Sequence, residues 1–416
     1  MAHAAEACDI ADMDCCPPPG EAPPPYAPFD TDQGPPIAGD GPSAPPADGE
    51  PPPPPPLVST EMAVATRAGR TVASQLLAPP GAIALEVADF GSVAVTVRAG
   101  ETSGGLVRVG ATLQHGPGVA VAATSQVDKA GQRTIRLGAA AGNARAQVEC
   151  EIVLPTGAAA ALDALALRLP AGTWLDVAGI GRGVVRRLDV AVIAGAVQLA
   201  HVHADSLRVA VVDGAISAAD VAVGQAAEFV ACAGQVRLSR CAAATVRANT
   251  PGAALVMREV AAETLSVRGR QAAIALRDAR ATVATVRTAA GSVVLDGVAA
   301  ETLDVRTETA PVHGAWTVGR ALRIAADSAM VQGQLALAAD AVQAAVTTAG
   351  WPVRLAVARS FRGFFDVRAA GSVATFDLAD AVFHERAPHH LQGVVGTGPS
   401  SIRVASAGSP VVITAL

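Results

Sequence analysis

The chain has 416 residues, 51% hydrophobic, 3% aromatic and 16% charged, with a formal net charge of −6. That length holds one large domain or two ordinary ones. No window of about 18 continuously apolar residues exists, which excludes a transmembrane helix. The acidic balance gives no basic footprint, so no nucleic-acid partner is expected.

Composition breaks near Leu57. Residues 1–57 hold 18 of the 29 prolines, ten acidic residues and no Lys or Arg, for a charge of −10. The remainder carries 31 basic and 27 acidic residues. A segment so rich in Pro and acid buries too little apolar surface to offset chain entropy, so 1–57 reads as a disordered tail. Within it, Pro23-Pro24-Pro25-Tyr26 has the form Pro-Pro-x-Tyr, and Tyr26 is the single tyrosine of the protein. A polyproline II segment presents its rings to an aromatic groove at low ordering cost, with the tyrosine as anchor. Pro23, Pro24 and Tyr26 therefore point to WW-domain partners. The run Pro51–Pro56 is a stiff spacer. Cys15 and Cys16 have the spacing for paired acylation, but Asp12 and Asp14 beside them disfavour an anionic membrane, so free thiols are expected. The start lacks the basic flank and apolar core of a secretion signal, and the six cysteines lack metal or disulfide-framework spacing. Cytoplasmic is the default location, with the cell surface as the other compartment to consider.

A linker is read at 58–79 and one domain over 80–416. In 80–170 the strand candidates are Ile83–Val87, Gly91–Arg98, Leu106–Leu113, Thr134–Leu137 and Gln147–Leu154, read as first strands and a cap over an open end. From 171 to 376 the apolar residues alternate with period two, and the pattern recurs at a period of about 19 residues. Val260–Arg268 and Val298–Arg306 are the same nonapeptide except for Ser266 against Asp304. Rungs start at Leu188, Leu207, Leu265, Ala284, Leu303 and Leu322. Position three is Val190, Val209, Val267, Val286, Val305 and Ile324. Position eight is always small (Gly195, Gly214, Ala272, Gly291, Ala310, Ala329), and position ten is β-branched. Leu-x-Val places two side chains on one inward face, and the small residue permits a tight corner.

The expected fold is therefore all-β: an irregular, parallel β-helix-like solenoid of about 19-residue rungs spaced ~4.8 Å apart. The rival is a hairpin sandwich, for which Asp213-Gly214 and Asp296-Gly297 would supply two-residue turns. Residues 377–400, with His384, His389 and His390, break the period and read as an insertion loop. Residues 401–416 give the final strands.

Gly91-Ser-Val-Ala-Val-Thr-Val and Val148-Glu-Cys-Glu-Ile-Val-Leu-Pro155, followed by serial Leu-x-Val rungs, resemble the adhesin-like domains of unknown function of bacteria and fungi. The likeness covers roughly 80–416, and the Pro-rich start is similar to fungal members. It implies a strand-repeat binding domain and brings no catalytic residues.

No P-loop, Rossmann fingerprint or nucleophile triad is present. A non-enzymatic binding or scaffold module without cofactor is expected. The alternative is a polysaccharide-binding or polysaccharide-cleaving β-helix of the cell surface, which needs an acidic cluster on one outer ladder. Instead Asp189, Asp304 and Asp366 share the outward position two with Arg208 and Arg323, which reads as a solvated face. His201-Val-His203 has metal-ligand spacing but no third ligand, and no metal is expected. The outward arginines Arg268, Arg287, Arg306 and Arg368 follow position three. They form the candidate anion-binding ladder, for acidic polymers or glycans. Solvated gatekeepers between strands are the bland reading of the same residues.

Overall fold

The computed structural model describes residues 63–67, 70–77, 81–102, 106–114, 121–128, 131–139, 146–156 and 161–416. Every regular element among them is a strand, from Ala63–Arg67 to Val411–Ala415. Pro23, Pro24, Tyr26, Cys15 and Cys16 lie outside the described residues. No helix among the described residues is long and apolar enough to cross a membrane.

The alternation seen in the sequence is the reason for the class. Val190, Val209, Val267, Val286, Val305 and Ile324 are all fully buried, and so are their position-ten partners Val197, Ile216, Ile274, Val293, Val312 and Val331, at 1% exposure or less. Burying each such side chain contributes about 1.5–3 kcal/mol. Residues that alternate with them along the strands, such as Arg268, Arg287 and Arg306, are exposed. Over 235–337 each residue pairs in parallel with one 18 or 19 positions on, as in Val267 with Val286 and Val286 with Val305. The offset widens to 22 at Leu322 with Ala344, and it is 22 and 23 at Thr173 with Gly195 and Val185 with Leu162. Asp296-Gly297 is a register shift inside a parallel ladder and makes no hairpin.

Two kinds of corner turn the chain. At position eight, Gly195 and Gly214 have φ of 149° and 143°, and a Cβ on Gly214 would collide with the Gly195 carbonyl. The other corner was not legible as such. His201, Asp220, Arg240, Glu259 and Asp278, one to each successive rung, all have φ between 49° and 55°, and Gly297 continues the series at 65°. A left-handed L-residue costs roughly 1–2 kcal/mol. Charge offsets part of that cost. Arg240 holds Asp220 through two hydrogen bonds, at 2.5 and 2.8 Å, and His201 Nδ1 lies 3.7 Å from the same carboxylate. The Arg240 hydrogen bond keeps the Asp220 carboxyl below the usual range. That contribution is present above the unfolded-state pKa and is lost as pH falls through the lowered folded one.

Asp278 carries the same backbone strain, is exposed and makes no side-chain hydrogen bond or ion pair among the described residues. Asp278→Gly should therefore raise stability by about 0.5–1 kcal/mol, release of strain outweighing the entropy that Gly adds to the unfolded chain. Chemical denaturation is the check, and a lower midpoint contradicts the strain account.

Thr288, Thr348 and Ser406 are buried beside the position-eight corner and satisfy turn carbonyls: Thr288 donates to Ala290 O at 2.8 Å, Thr348 and Ser406 to Trp351 O at 2.6 and 3.1 Å. Trp316 is 1% exposed, and Gly333, in register with Gly314, leaves room for its ring; a Cβ on Gly333 would overlap the indole.

Both ends of the ladder depart from chain order. Ala82–Ala88 and Ser92–Gly100 lie between the later Arg133–Ala139 and Gln147–Pro155 on one side and Leu162–Leu169 and Thr173–Ile180 on the other. At the far end Ser400–Ser406 lies between Gln343–Thr348 and Gly363–Ala369, and Val411–Ala415 between Val353–Val357 and Ala374–Asp377. The first and last rungs are thus each tucked one place inward. Antiparallel strands finish the edges: Val107–Gln114 on Gln147–Pro155, Val121–Val127 on Arg133–Ala139, and His390–Val395 on Gly363–Ala369.

The expected insertion loop at 377–400 is corrected by this last pair, because Ala381–Ala387 and His390–Val395 are strands that extend the ladder. Alternation there is masked by His384, Glu385 and Arg386, polar and charged residues suited to an outermost strand. His390 joins the added strand to the rung below, with Nε2 3.1 Å from Asp366 Oδ1 and Nδ1 2.9 Å from Glu385 Oε1. Phe365 stacks on Phe376 at 3.9 Å, with Phe383 edge-on at 5.4 Å, closing this end of the core with aromatic surface.

Candidate anion-binding face

The strand that begins each rung positions the arginines. Leu265, Val267, Leu303 and Val305 are buried at 0%, which forces Arg268 and Arg306 to the outside, with Arg287 between them. Arg268 pairs with Arg287, and Arg287 with Arg306, in unbroken register. The row therefore carries one guanidinium per rung at ~4.8 Å. Each neighbouring pair costs about 1 kcal/mol in bulk water before salt screening.

The four arginines are not equivalent. Arg268 and Arg287 are exposed and have no side-chain partner among the described residues. Arg306 leans on its own strand's Asp304, with an N–O distance of 3.4 Å. Arg368 shares the column, but Ala325, Thr347 and Ala405 stand between it and Arg306. It is also held by Asp366 through two 3.0 Å hydrogen bonds, which raise its pKa. The ladder read from the sequence is thus a row of three, with the fourth member four rungs away. Chain order hid this, because the C-terminal strand is inserted in between.

What the sequence missed is the groove around the row. About 510 Å³ in volume, it is lined by Arg268, Arg287 and Arg306 together with Arg270, Arg323 and Thr307. Glu308 and Asp327 line it as well. Thr307 is 4% exposed, and its hydroxyl has no hydrogen-bond partner among the described residues. A larger groove of about 1040 Å³ runs over another face, floored by Ala243, Ala262, Ala281 and Ala300 in register. The duplicated nonapeptide contributes to both, through Ala262 and Ala300 to one and Arg268 and Arg306 to the other. The larger groove is also lined by charges of both signs (Arg182, Asp205, Glu263, Arg280 and Glu301), whereas the smaller one holds an in-register row of one sign. His203 lines the alanine groove and His201 sits at a corner, so the two do not converge on one centre.

The buried thiols have no part in either groove. Burial pushes Cys150 up to about 12, with Glu151 beside it adding to the shift, and burial likewise pushes Cys241 up to about 11.

No family model matches the chain, and no curated protein matches it. Among solved structures, it is similar to a crystal structure described as a putative cell adhesion protein from Clostridium sporogenes. The two are 9% identical, the match covers 83% of this chain and 100% of that one, and the TM-score is 0.16.

Proposed function

We propose that this protein is a non-enzymatic binding module, an irregular β-solenoid of the adhesin-like kind, whose arginine groove takes an anionic polymer. The observation that carries the reading is the in-register row Arg268, Arg287 and Arg306, of which the first two lack a side-chain partner among the described residues. Like charges stacked one per rung are stabilised by an anion lying across them, and a polymer supplies several at once. The proline-rich tail gives the module a second function, recruitment of WW-type domains through Pro23, Pro24 and Tyr26.

Two measurements test these parts. Full-length protein should be retained by immobilised dextran sulfate or polyphosphate, with affinity falling steeply as salt rises. Arg268→Glu with Arg287→Glu should cost at least tenfold in that affinity, while Arg368→Glu, four rungs from the row, should leave it nearly unchanged. Equal losses from both variants would mean that overall charge, not the row, is being read. For the tail, Tyr26→Ala should lose capture by an immobilised WW domain; undiminished capture removes that role.

A further inference from the structure

We infer that the polymer is a linear, carboxylate-bearing polysaccharide lying along the stack of rungs, an inference that rests on the anion-binding reading above. Three features of the groove select this class. First, positive charge recurs once per rung over the three in-register arginines, which fits a chain with one carboxylate per sugar ring. A polyphosphate carries its charge more densely than the row does. Second, the groove is not uniformly basic. Glu308 and Asp327 line it together with the arginines. A polymer whose only polar groups are anions meets these carboxylates with repulsion, whereas sugar hydroxyls donate hydrogen bonds to them. Third, the groove lacks what the other polyanions require. No aromatic ring among the described residues lines it, so nucleic-acid bases have no stacking platform. Its apolar lining is limited to Ala289 and Ala325, too little to insert beneath lipid headgroups.

Binding should then depend on chain length, because single carboxylates bind exposed arginines weakly and linked ones act together. The test is calorimetry of the full chain with galacturonate, its linear oligomers, methyl-esterified oligomers, polyphosphate, single-stranded DNA and phosphatidylserine vesicles. The expected result is at least a tenfold gain in affinity from the monosaccharide to oligomers spanning the three-arginine row. That gain should be lost on methyl esterification and reduced at least tenfold by Arg268→Ala with Arg287→Ala. Tighter binding of polyphosphate, DNA or vesicles than of the oligouronate overturns this assignment while leaving the anion-binding reading intact. Binding that survives esterification also overturns it. Failure of every polyanion to bind overturns both.

Discussion

Removing Ser400–Leu416 should abolish cooperative folding of the C-terminal rungs, although the segment is only a short terminal piece of the chain. Its two strands are interior strands of the ladder, each paired in parallel on both sides. Ile402, Val404, Val411 and Ile413 are exposed by 1% or less. At about 1.5–3 kcal/mol each, their burial is comparable with the whole net stability of an ordinary domain. Deletion also bares backbone edges on the rungs to either side, which favours aggregation. Circular dichroism melting and size-exclusion chromatography of the truncated protein are the checks. A monomer that melts cooperatively at the midpoint of the intact chain would show that the last strands are not interior.

The second large effect is expected at Trp316. Trp316→Ala should destabilise by about 3–5 kcal/mol through the cavity it leaves. The indole Nε1 is buried without a hydrogen-bond partner among the described residues, so part of the indole's packing gain already offsets that cost. Gly333→Ala should be destabilising in the native background, where the new methyl meets the indole. It should be less so beside Trp316→Ala, where the methyl no longer meets the ring but still meets the Gly314 carbonyl oxygen at 2.7 Å, with a coupling of about 1 kcal/mol or more. Denaturant unfolding of the two single variants and the double variant measures it. Additive losses would mean that the glycine is not there for the ring.

What the sequence made legible was whatever depends on one rung and its copy. Inward Val267, Val286 and Val305, the small corner residues and the outward Arg268, Arg287 and Arg306 all follow from alternation plus the rung period. A Leu-x-Val pattern says which face is buried and nothing about which strand lies alongside. Val346 pairs with Val404, several strands further along the chain, and no local signal marks that choice. The same indeterminacy put Arg368 with the other three arginines. The left-handed corner was hidden for a different reason: it is occupied by His201, Asp220, Arg240 and Glu259 rather than by the glycine such a backbone prefers. One further signal does lie in the sequence. Gly314 and Gly333, one rung apart, stand where neighbouring rungs place Leu295 and Leu355, and a large residue such as Trp316 is what two missing side chains make room for.

The two copies of the nonapeptide lie two rungs apart in one column, so that their arginines fall in line. Paired spin labels at positions 268 and 306 measure this directly. Cys232 and the three tail cysteines would first be replaced by serine, leaving the buried, weakly acidic Cys150 and Cys241 unlabelled. Stacked parallel rungs predict backbone sites about 10 Å apart, and therefore strong dipolar broadening. Broadening should fall off when the second label is moved to position 368, which lies six rungs from 268 and roughly 29 Å along the stack. Absence of broadening in the first pair, or equal broadening in both, would contradict the column and the binding row built on it.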